Sequence, residues 1–118
     1  MEKDDNIILV LSKQFAVRII RLYQFLKENN NEIVLSKQLL RSGTSIGANI
    51  RESINAQSKM DFISKMNIAL KEANETEYWL ELLYETNYLN RAQYDSIYSD
   101  CGKIVGTLTK IIRKAKGL

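Results

Sequence analysis

The sequence predicts an all-α protein folded as an antiparallel, up-down-up-down four-helix bundle. Three observations predict this: the 118 residues include no proline, apolar residues recur at helical spacing in four long stretches, and only short polar segments separate those stretches. Four helices of similar length with short connections pack most simply as such a bundle. A chain of this length forms one core, so we expect a single domain over residues 1–118.

The first two helices are predicted at about residues 6–28 and 34–55. The first ends at the asparagines 29–31, which favour turns and left-handed backbone. The start of the second is poorly marked and falls between Ile33 and Lys37. Their core stripes are predicted as Ile8, Leu11, Phe15, Ile19, Leu22 and Leu26, and as Leu39, Gly43, Ile46, Ile50 and Ile54.

The third and fourth helices are predicted at about residues 59–87 and 91–115. Ser58 is the expected N-cap of the third, and Asp61 three residues later resembles the second half of a capping box. Asn87 is placed to end the third helix in the left-handed conformation, and Asn90 is placed to cap the fourth. Their core stripes are predicted as Phe62, Met66, Ala69, Ala73, Thr76, Leu80 and Leu83, and as Ile97, Cys101, Ile104, Leu108, Ile111 and Ala115.

Two helices carry apolar residues away from their core stripes. A second apolar face needs a second partner, so we expect a homo-oligomer. The alternative is a broad stripe that reaches around to both neighbouring helices, which accounts for part of this surface. The expected interface residues are Val17, Ile20, Ile68, Tyr78, Trp79 and Leu82.

The segment "LLRSGTSIGANIRES", residues 39–53, places two glycines four residues apart inside the second helix. Each mid-helix glycine costs about 1 kcal/mol relative to alanine, so a packing role must offset the cost. We expect Gly43 and Gly47 to permit close approach to the bundle core and to a neighbouring subunit, with Ser45 and Asn49 hydrogen-bonding across these contacts. A phosphate-binding loop is the alternative, but no Gly-Lys-Ser/Thr ending and no preceding strand are present.

This segment resembles the "R-R-A-x-x-S-I-P-x-N-I-A-E-G" signature of the 23S rRNA intervening-sequence protein family, a family of four-helix bundles. The resemblance extends over nearly the whole chain, because "IALKEANETE" is similar to a second family motif and "NYLN" to the Gly-Tyr-Leu turn of the family. The chain departs from the signature at Gly47, Arg51 and Ser53. The matching positions are Arg41, Ser45, Ile46, Asn49, Ile50 and Glu52 in the first motif and Glu75 and Glu77 in the second.

The resemblance implies an antiparallel four-helix bundle that assembles into a ring, commonly a homopentamer. Some members of the family are encoded inside intervening sequences of large-subunit ribosomal RNA genes. Related accessory proteins of diversity-generating retroelements form basic pentameric barrels that engage a reverse transcriptase and nucleic acid. The resemblance implies no chemical reaction.

The residues themselves argue against an enzyme. The chain has no histidine, so the commonest general base and metal ligand is absent, and its one cysteine, Cys101, lies in a core stripe. Glu77 and Glu81 are four residues apart, but no group of opposite role accompanies them, and a solvated or subunit-bridging role is favoured. We expect no catalytic residue, no metal and no cofactor.

Two functions without chemistry remain open. A nucleic-acid-binding oligomer would use the basic residues of the fourth helix and of the outer side of the second, because a ring repeats a modest charge into a large basic field. A protein-interaction scaffold would use the same charges to complement glutamates of a neighbour. The candidate nucleic-acid contacts are Lys37, Arg41, Arg51, Lys103, Lys110, Arg113, Lys114 and Lys116.

The location expected from the sequence is the cytoplasm. The N-terminal "MEKDDN" lacks the basic, apolar and small-residue regions of a secretory signal, and a single cysteine fits a reducing compartment. The longest aliphatic run, residues 7–11, is far shorter than the about 20 residues that a bilayer requires. We therefore expect no membrane partner. Since no catalytic residue is expected either, we expect no small-molecule substrate.

Overall fold

The computed structural model describes residues 3–118, which form four α-helices and no strand. The helices are α1 (Lys3–Asn30), α2 (Val34–Ile54), α3 (Lys59–Glu85) and α4 (Arg91–Ala115). The described part measures 44 × 21 × 19 Å, the elongated shape that helices of this length produce side by side. The predicted all-α class is confirmed; residues 1 and 2, which belong to the predicted domain, lie outside the described residues.

The turn between α1 and α2 uses an asparagine and a glutamate. Asn31 has a φ of 53°, the left-handed conformation expected of the asparagine run. Glu32 follows, and its carboxylate accepts hydrogen bonds of 2.8 Å from the backbone N–H groups of Leu35 and Ser36, in the first turn of α2. This buried carboxylate satisfies the free donors at the start of α2 and lies at the positive end of the helix dipole. It explains why α2 begins at Val34 although no ordinary N-cap residue precedes it.

The caps of α3 and α4 follow the sequence pattern. Ser58 Oγ accepts a 3.0 Å hydrogen bond from the Asp61 N–H, while the Asp61 carboxylate accepts one from Gln57, one residue before the cap. Asn90 and Gln93 form a complete capping box at α4. Asn87 has a φ of 70° and follows the end of α3, as predicted. These local bonds fix where the helices begin and how the chain enters them.

The core runs through the predicted stripes with a few exceptions. Ile54 is 42% exposed, because it is the last residue of α2 and the buried position there belongs to its neighbour Ser53. The predicted core residues Leu11, Leu22, Phe62 and Ala115 are only half-buried. Polar residues that the stripes did not include are also buried, namely Ser12, Ser36, Ser42 and Ser53.

Each helix packs against two others. α2 contacts α1 and α3, and α4 contacts α3 and α1, so the chain order is also the order around the bundle. Pairs of contacting residues include Ser12 with Gly47 and Ile19 with Gly43. Between α1 and α4, Asp4 pairs with Lys110 and Arg18 with Asp100. α1 and α3 therefore occupy opposite corners of the bundle.

Candidate interaction surfaces

Gly43 lies where α2 passes α1, directly against Ile19. A Cβ built on Gly43 would lie 2.8 Å from Cγ1 and 2.9 Å from Cγ2 of Ile19, too close for ordinary van der Waals contact. Ile19 is completely buried, so its side chain has little free space into which to move. The glycine therefore permits close approach of two helices within one protomer.

Gly47, one turn further along α2, has a different environment. A Cβ there would lie 3.4 Å from Ser12 Oγ and 3.5 Å from Ser12 Cβ, which are ordinary contacts. Gly47 also borders an open groove of about 260 Å³ between α1 and α2, which we call the α1–α2 groove. The groove is lined by Leu9, Ser12, Lys13, Ala16, Thr44, Gly47, Ala48 and Arg51.

The polar members of the glycine segment bond within α2. Ser45 Oγ donates to the Arg41 carbonyl oxygen at 2.6 Å, and Asn49 Nδ2 donates to the Ser45 carbonyl oxygen at 2.9 Å. These bonds replace the expected bonds across a helix contact, because a short polar side chain on a helix easily reaches the carbonyl four residues earlier. Glu52 pairs instead with Lys65 of α3, at 3.6 Å.

A buried polar contact between α2 and α3 was missed by the sequence reasoning. The hydroxyls of Thr76 and Ser42 are 2.9 Å apart, with Thr76 donating, and both residues are fully buried. The sequence did contain a signal for the burial of Ser42, because Ser42 follows the core residue Leu39 by three residues, a spacing that places both on one face of the helix. Each hydroxyl also lies within hydrogen-bond distance of a carbonyl of its own helix, Glu72 for Thr76 and Leu39 for Ser42. The contact between the two hydroxyls adds a polar preference for this register of α2 on α3.

Arg41, a predicted nucleic-acid contact, is engaged within the protomer. Its guanidinium pairs with Glu75 and lies 3.4 Å from the Glu72 carboxylate, both on α3. Trp79 Nε1 also donates to Glu75, at 3.4 Å. The positive charge of Arg41 is therefore already compensated, which weakens its candidacy as a phosphate contact.

Arg91 at the start of α4 pairs with Asp95 of the same helix at 3.0 Å. The five basic residues that follow it in α4 and at the C-cap divide into two groups. Lys110 pairs with Asp4 of α1 at 3.3 Å, and Lys114 lines a cleft with Asp4 and Asp5, so acidic side chains of α1 lie beside this pair. The other three are exposed, and within residues 3–118 they form no ion pair; they are Lys103, Arg113 and Lys116.

Lys37 and Arg51 are exposed on α2, and neither forms an ion pair within the described part of the chain. The structure adds Lys13 of α1, which lies with Arg51 at the edge of the α1–α2 groove and was not among the candidates. A count of charges along each helix would have found it. Residues 6–27 and 34–51 contain seven basic residues and no acidic one: Lys13, Arg18, Arg21, Lys27, Lys37, Arg41 and Arg51.

The predicted interface residues fall at two corners of the bundle. On α1, Val17 is 43% and Ile20 is 41% exposed; on α3, Ile68 is 40% and Tyr78 is 53% exposed. Trp79 and Leu82 are half-buried, and Trp79 packs against the core. Because α1 and α3 are at opposite corners, these apolar patches do not cover each other within one protomer.

The carboxylates of α3 lie beside a stack of tyrosines. Tyr98 donates a 2.8 Å hydrogen bond to Glu81, and this bond together with burial raises the pKa of Tyr98. Burial, and then the neighbouring charge of Glu81, raises the pKa of Glu77.

Cys101 is buried, and burial raises the pKa of its thiol to about 12. No three His, Cys, Asp or Glu side chains gather into a metal-ligand set anywhere in residues 3–118.

Comparison with known proteins assigns the chain to a family. The model of the 23S rRNA-intervening sequence protein family matches residues 4–110. This protein belongs to that family. A crystal structure of a protein of unknown function from the S23 ribosomal protein family of Bacteroides thetaiotaomicron is 60% identical to this chain, covers 93% of this chain and 98% of its own, and superimposes with a TM-score of 0.92. Comparison with curated proteins gave no match.

Membership of the 23S rRNA-intervening sequence protein family accounts for the two motifs at once. Arg41 of the first motif lies against α3, where Glu75 of the second motif receives it. Gly43, which packs against α1, falls at an unspecified position of the first motif. Among residues 3–118, none of the four helices is long and apolar enough to cross a membrane. The solvent-exposed surfaces of the bundle include the basic part of α4, the α1–α2 groove and the outer side of α3.

Proposed function

We propose that this protein is a homo-oligomer that binds RNA or DNA through basic side chains and acts as an accessory protein with no chemical step. One observation carries the proposal: Lys103, Arg113 and Lys116 are exposed along α4 and its C-cap, beyond the last acidic residue, and within residues 3–118 they form no ion pair. Uncompensated cations along one helix match the regular negative charge of a phosphate backbone.

Assembly would multiply this charge. The protomer carries a net charge of only +3, whereas a ring repeats its basic residues around one assembly. The proposed ring is a homopentamer, on the strength of the family resemblance, built from antiparallel up-down-up-down bundles. Contacts such as Ser12 with Gly47 and Ile19 with Gly43 support the antiparallel arrangement of α1 and α2, because residues later in one helix meet residues earlier in the other.

The proposed function requires no catalytic residue, metal or cofactor, and the proposed location is the cytoplasm. The absence of histidine from the sequence supports the lack of acid-base or metal chemistry, and the buried Cys101 thiol, with its raised pKa, is a poor nucleophile. A single cysteine is compatible with a reducing compartment.

Binding to a labelled single-stranded RNA, a duplex RNA and a duplex DNA, measured at several salt concentrations, tests the nucleic-acid proposal. In the test variant, Lys103, Arg113 and Lys116 are replaced by glutamine. We expect weaker binding and a salt dependence shallower by about one unit per lost contact, because each contact releases about one counterion. Circular dichroism should report an unchanged helix content, since these side chains lie outside the core.

A matched control separates position from total charge. Replacing Lys27, Lys59 and Lys71 by glutamine removes the same three charges from α1 and α3, and none of these residues forms an ion pair within residues 3–118. The control should keep most of the affinity. A parent protein that binds neither RNA nor DNA near physiological salt would refute the nucleic-acid proposal.

The second candidate is a protein-interaction scaffold. The ion pairs of Arg41 with Glu75 and of Lys110 with Asp4 favour it over nucleic-acid binding, because cations already paired with carboxylates are less available to phosphates. The scaffold predicts no nucleic-acid affinity and an oligomer that charge reversal alters. Light scattering gives the mass of the assembly, which is expected to be about five times the 13.6 kDa of the protomer. A monomeric mass would refute both forms of the proposal.

A further inference from the structure

Charge is divided unevenly between two parts of the bundle. Residues 6–27 of α1 and 34–51 of α2 contain no acidic side chain, whereas residues 72–85 of α3 contain five glutamates and no basic one. α1 and α3 are diagonal and do not contact each other, so the cations of α1 lie away from the glutamates of α3. Among the α2 cations, Arg41 pairs with Glu75 of α3, whereas Arg51 forms no ion pair within residues 3–118. The α1 side of the protomer is therefore basic, and the outer side of α3 is acidic.

The α1–α2 groove has the shape of a docking surface. Its lining includes small and apolar residues, among them Leu9, Ala16 and Ala48, and two cations, Lys13 and Arg51. Both cations are exposed and form no ion pair within the described residues. The exposed apolar side chains of Val17 and Ile20 extend the apolar surface along α1. A groove of this kind fits an amphipathic helix with an acidic flank.

The exposed side of α3 has those properties. Tyr78 and Leu82 are four residues apart on one face, and Tyr78 is 53% exposed. Glu77, Glu81 and Glu85 form a parallel row beside them, with spacing of one helical turn. An apolar row flanked by carboxylates is complementary to an apolar groove edged by cations.

We propose that the α1–α2 groove of one protomer binds the outer, acidic face of α3 from a second copy of this chain. That face consists of Glu77, Tyr78, Glu81, Leu82 and Glu85. This inference rests on the proposed oligomer and specifies which surfaces form it. Contact of a groove with another groove would place Lys13 and Arg51 of both copies against each other, and contact of two α3 faces would oppose two rows of glutamates. Like charges brought together oppose association, so the opposite faces are the pair that attracts.

The contact is heterologous, because the two surfaces in it differ. Each protomer offers its groove to one neighbour and its α3 face to another, and such head-to-tail contacts close into a ring when the rotation allows it. The basic side chains of the α1–α2 groove are then covered in the assembly. In this arrangement, Lys103, Arg113 and Lys116 of α4 and its C-cap stay exposed and can contact phosphates.

Charge reversal on either face, and on both together, tests the pairing. The groove variant carries Lys13→Glu and Arg51→Glu; the α3 variant carries Glu77→Lys and Glu85→Lys; the combined variant carries all four. Sedimentation velocity at low salt should show that each two-residue variant associates at least about tenfold more weakly than the parent, because like charges then face each other. The combined variant should regain the parent mass, since the acidic groove now meets a basic α3 face.

Two controls separate the location of the substitutions from their charge and size. Lys103→Glu with Lys116→Glu changes the net charge by the same amount as the groove variant but lies at α4 and its C-cap, and it should leave the mass unchanged. Ala48→Trp fills the exposed groove without adding charge and should dissociate the oligomer, whereas Ala92→Trp, at an exposed position of α4, should not. Circular dichroism of every variant verifies that the helices remain folded.

The outcomes separate this inference from the proposed function. A parent oligomer that neither the groove variant nor Ala48→Trp weakens overturns the face pairing while the oligomer proposal stands. Weakened two-residue variants that the combined variant does not rescue also overturn it, because the two faces then do not meet each other. A monomeric parent overturns the oligomer proposal and this inference together, whereas loss of nucleic-acid binding alone leaves the face pairing intact.

Discussion

Gly43→Ala is the most informative single substitution in the bundle, because two effects of known size oppose each other at this position. Alanine improves helix propensity by about 1 kcal/mol. The new Cβ, however, would lie 2.8, 2.9 and 3.2 Å from three atoms of Ile19, which is itself fully buried. Overpacking of this kind costs about 1 to 3 kcal/mol. We therefore expect a net destabilisation of about 1 kcal/mol, reaching about 2 kcal/mol if α1 and α2 move apart only partly.

Two other glycines supply matched controls. Gly106→Ala places a Cβ where nothing lies within 4 Å, so it should stabilise the protein by up to about 1 kcal/mol. Gly47→Ala makes only ordinary contacts with Ser12 and should be neutral or stabilising by less than about 1 kcal/mol. The same substitution at three positions of similar backbone conformation then differs only in what the new methyl group meets.

Thermal and denaturant unfolding, followed by circular dichroism at one fixed protomer concentration, measure these differences. For a domain of about this size, 1 kcal/mol corresponds to a shift in Tm of about 4 °C, so Gly43→Ala should lower Tm by about 4 to 8 °C. A double-mutant cycle with Ile19→Ala identifies the contact. In the Ile19→Ala background, Gly43→Ala should become neutral or stabilising, which gives a coupling energy of about 1 to 3 kcal/mol.

One result would refute this reasoning. If Gly43→Ala raises Tm as much as Gly106→Ala does, the helices accommodate a methyl group without cost and the glycine has no packing role. An unfavourable effect that persists unchanged in the Ile19→Ala background would place the cause elsewhere than in the α1–α2 contact.

Three further predictions concern other features. Gly47→Leu should fill the α1–α2 groove and reduce the oligomer mass by sedimentation while the helix content stays constant; an unchanged mass would contradict a packing role for the groove. Glu77→Gln should stabilise the protein at neutral pH by at least about 0.2 to 0.5 kcal/mol, because it removes the cost of partly burying a charge and the repulsion from Glu81. The raised pKa of Glu77 means that this carboxyl favours folding below its unfolded pKa and that its contribution is lost as pH rises through the folded pKa, so the gain should vanish in acid; a gain independent of pH would contradict this. Glu32→Ala should cost about 1 to 2 kcal/mol in chemical denaturation, since α2 loses its carboxylate cap, and an unchanged midpoint would show that water replaces the cap.

Local signals in the sequence were sufficient for the secondary structure. Asn31, Ser58, Asn87 and Asn90 act through bonds or backbone angles within a few residues of themselves, so their roles follow from residue type and spacing. The apolar stripes likewise follow from helical periodicity, because burial of one face is what holds each helix in the bundle. The two motifs carry the family resemblance, which the family comparison confirms over residues 4–110.

The cap of α2 shows where local reasoning ended. Glu32 precedes the helix by two residues and is an unusual capping residue, so the sequence left the start of α2 open between Ile33 and Lys37. Its role depends on a buried carboxylate that reaches forward to the N–H groups of Leu35 and Ser36, and the burial that favours this bond is set by the packing of the bundle. The buried Ser42–Thr76 contact has the same character, because each hydroxyl can also bond a carbonyl of its own helix and only the packing of α2 on α3 brings the two together.

The sequence alone determined four helices, their caps, their core faces and the total charge, since these depend on residue type and on distances of one or two turns. Only the tertiary structure decided which charges are compensated. Arg41 meets Glu75 thirty-four residues away, and Lys110 meets Asp4 at the other end of the chain, whereas Lys103, Arg113 and Lys116 remain without an ion pair in residues 3–118. It also placed the apolar patches of α1 and α3 at opposite corners. Helix order and register bring distant residues together, and periodicity within one helix contains no information about the neighbour that it meets.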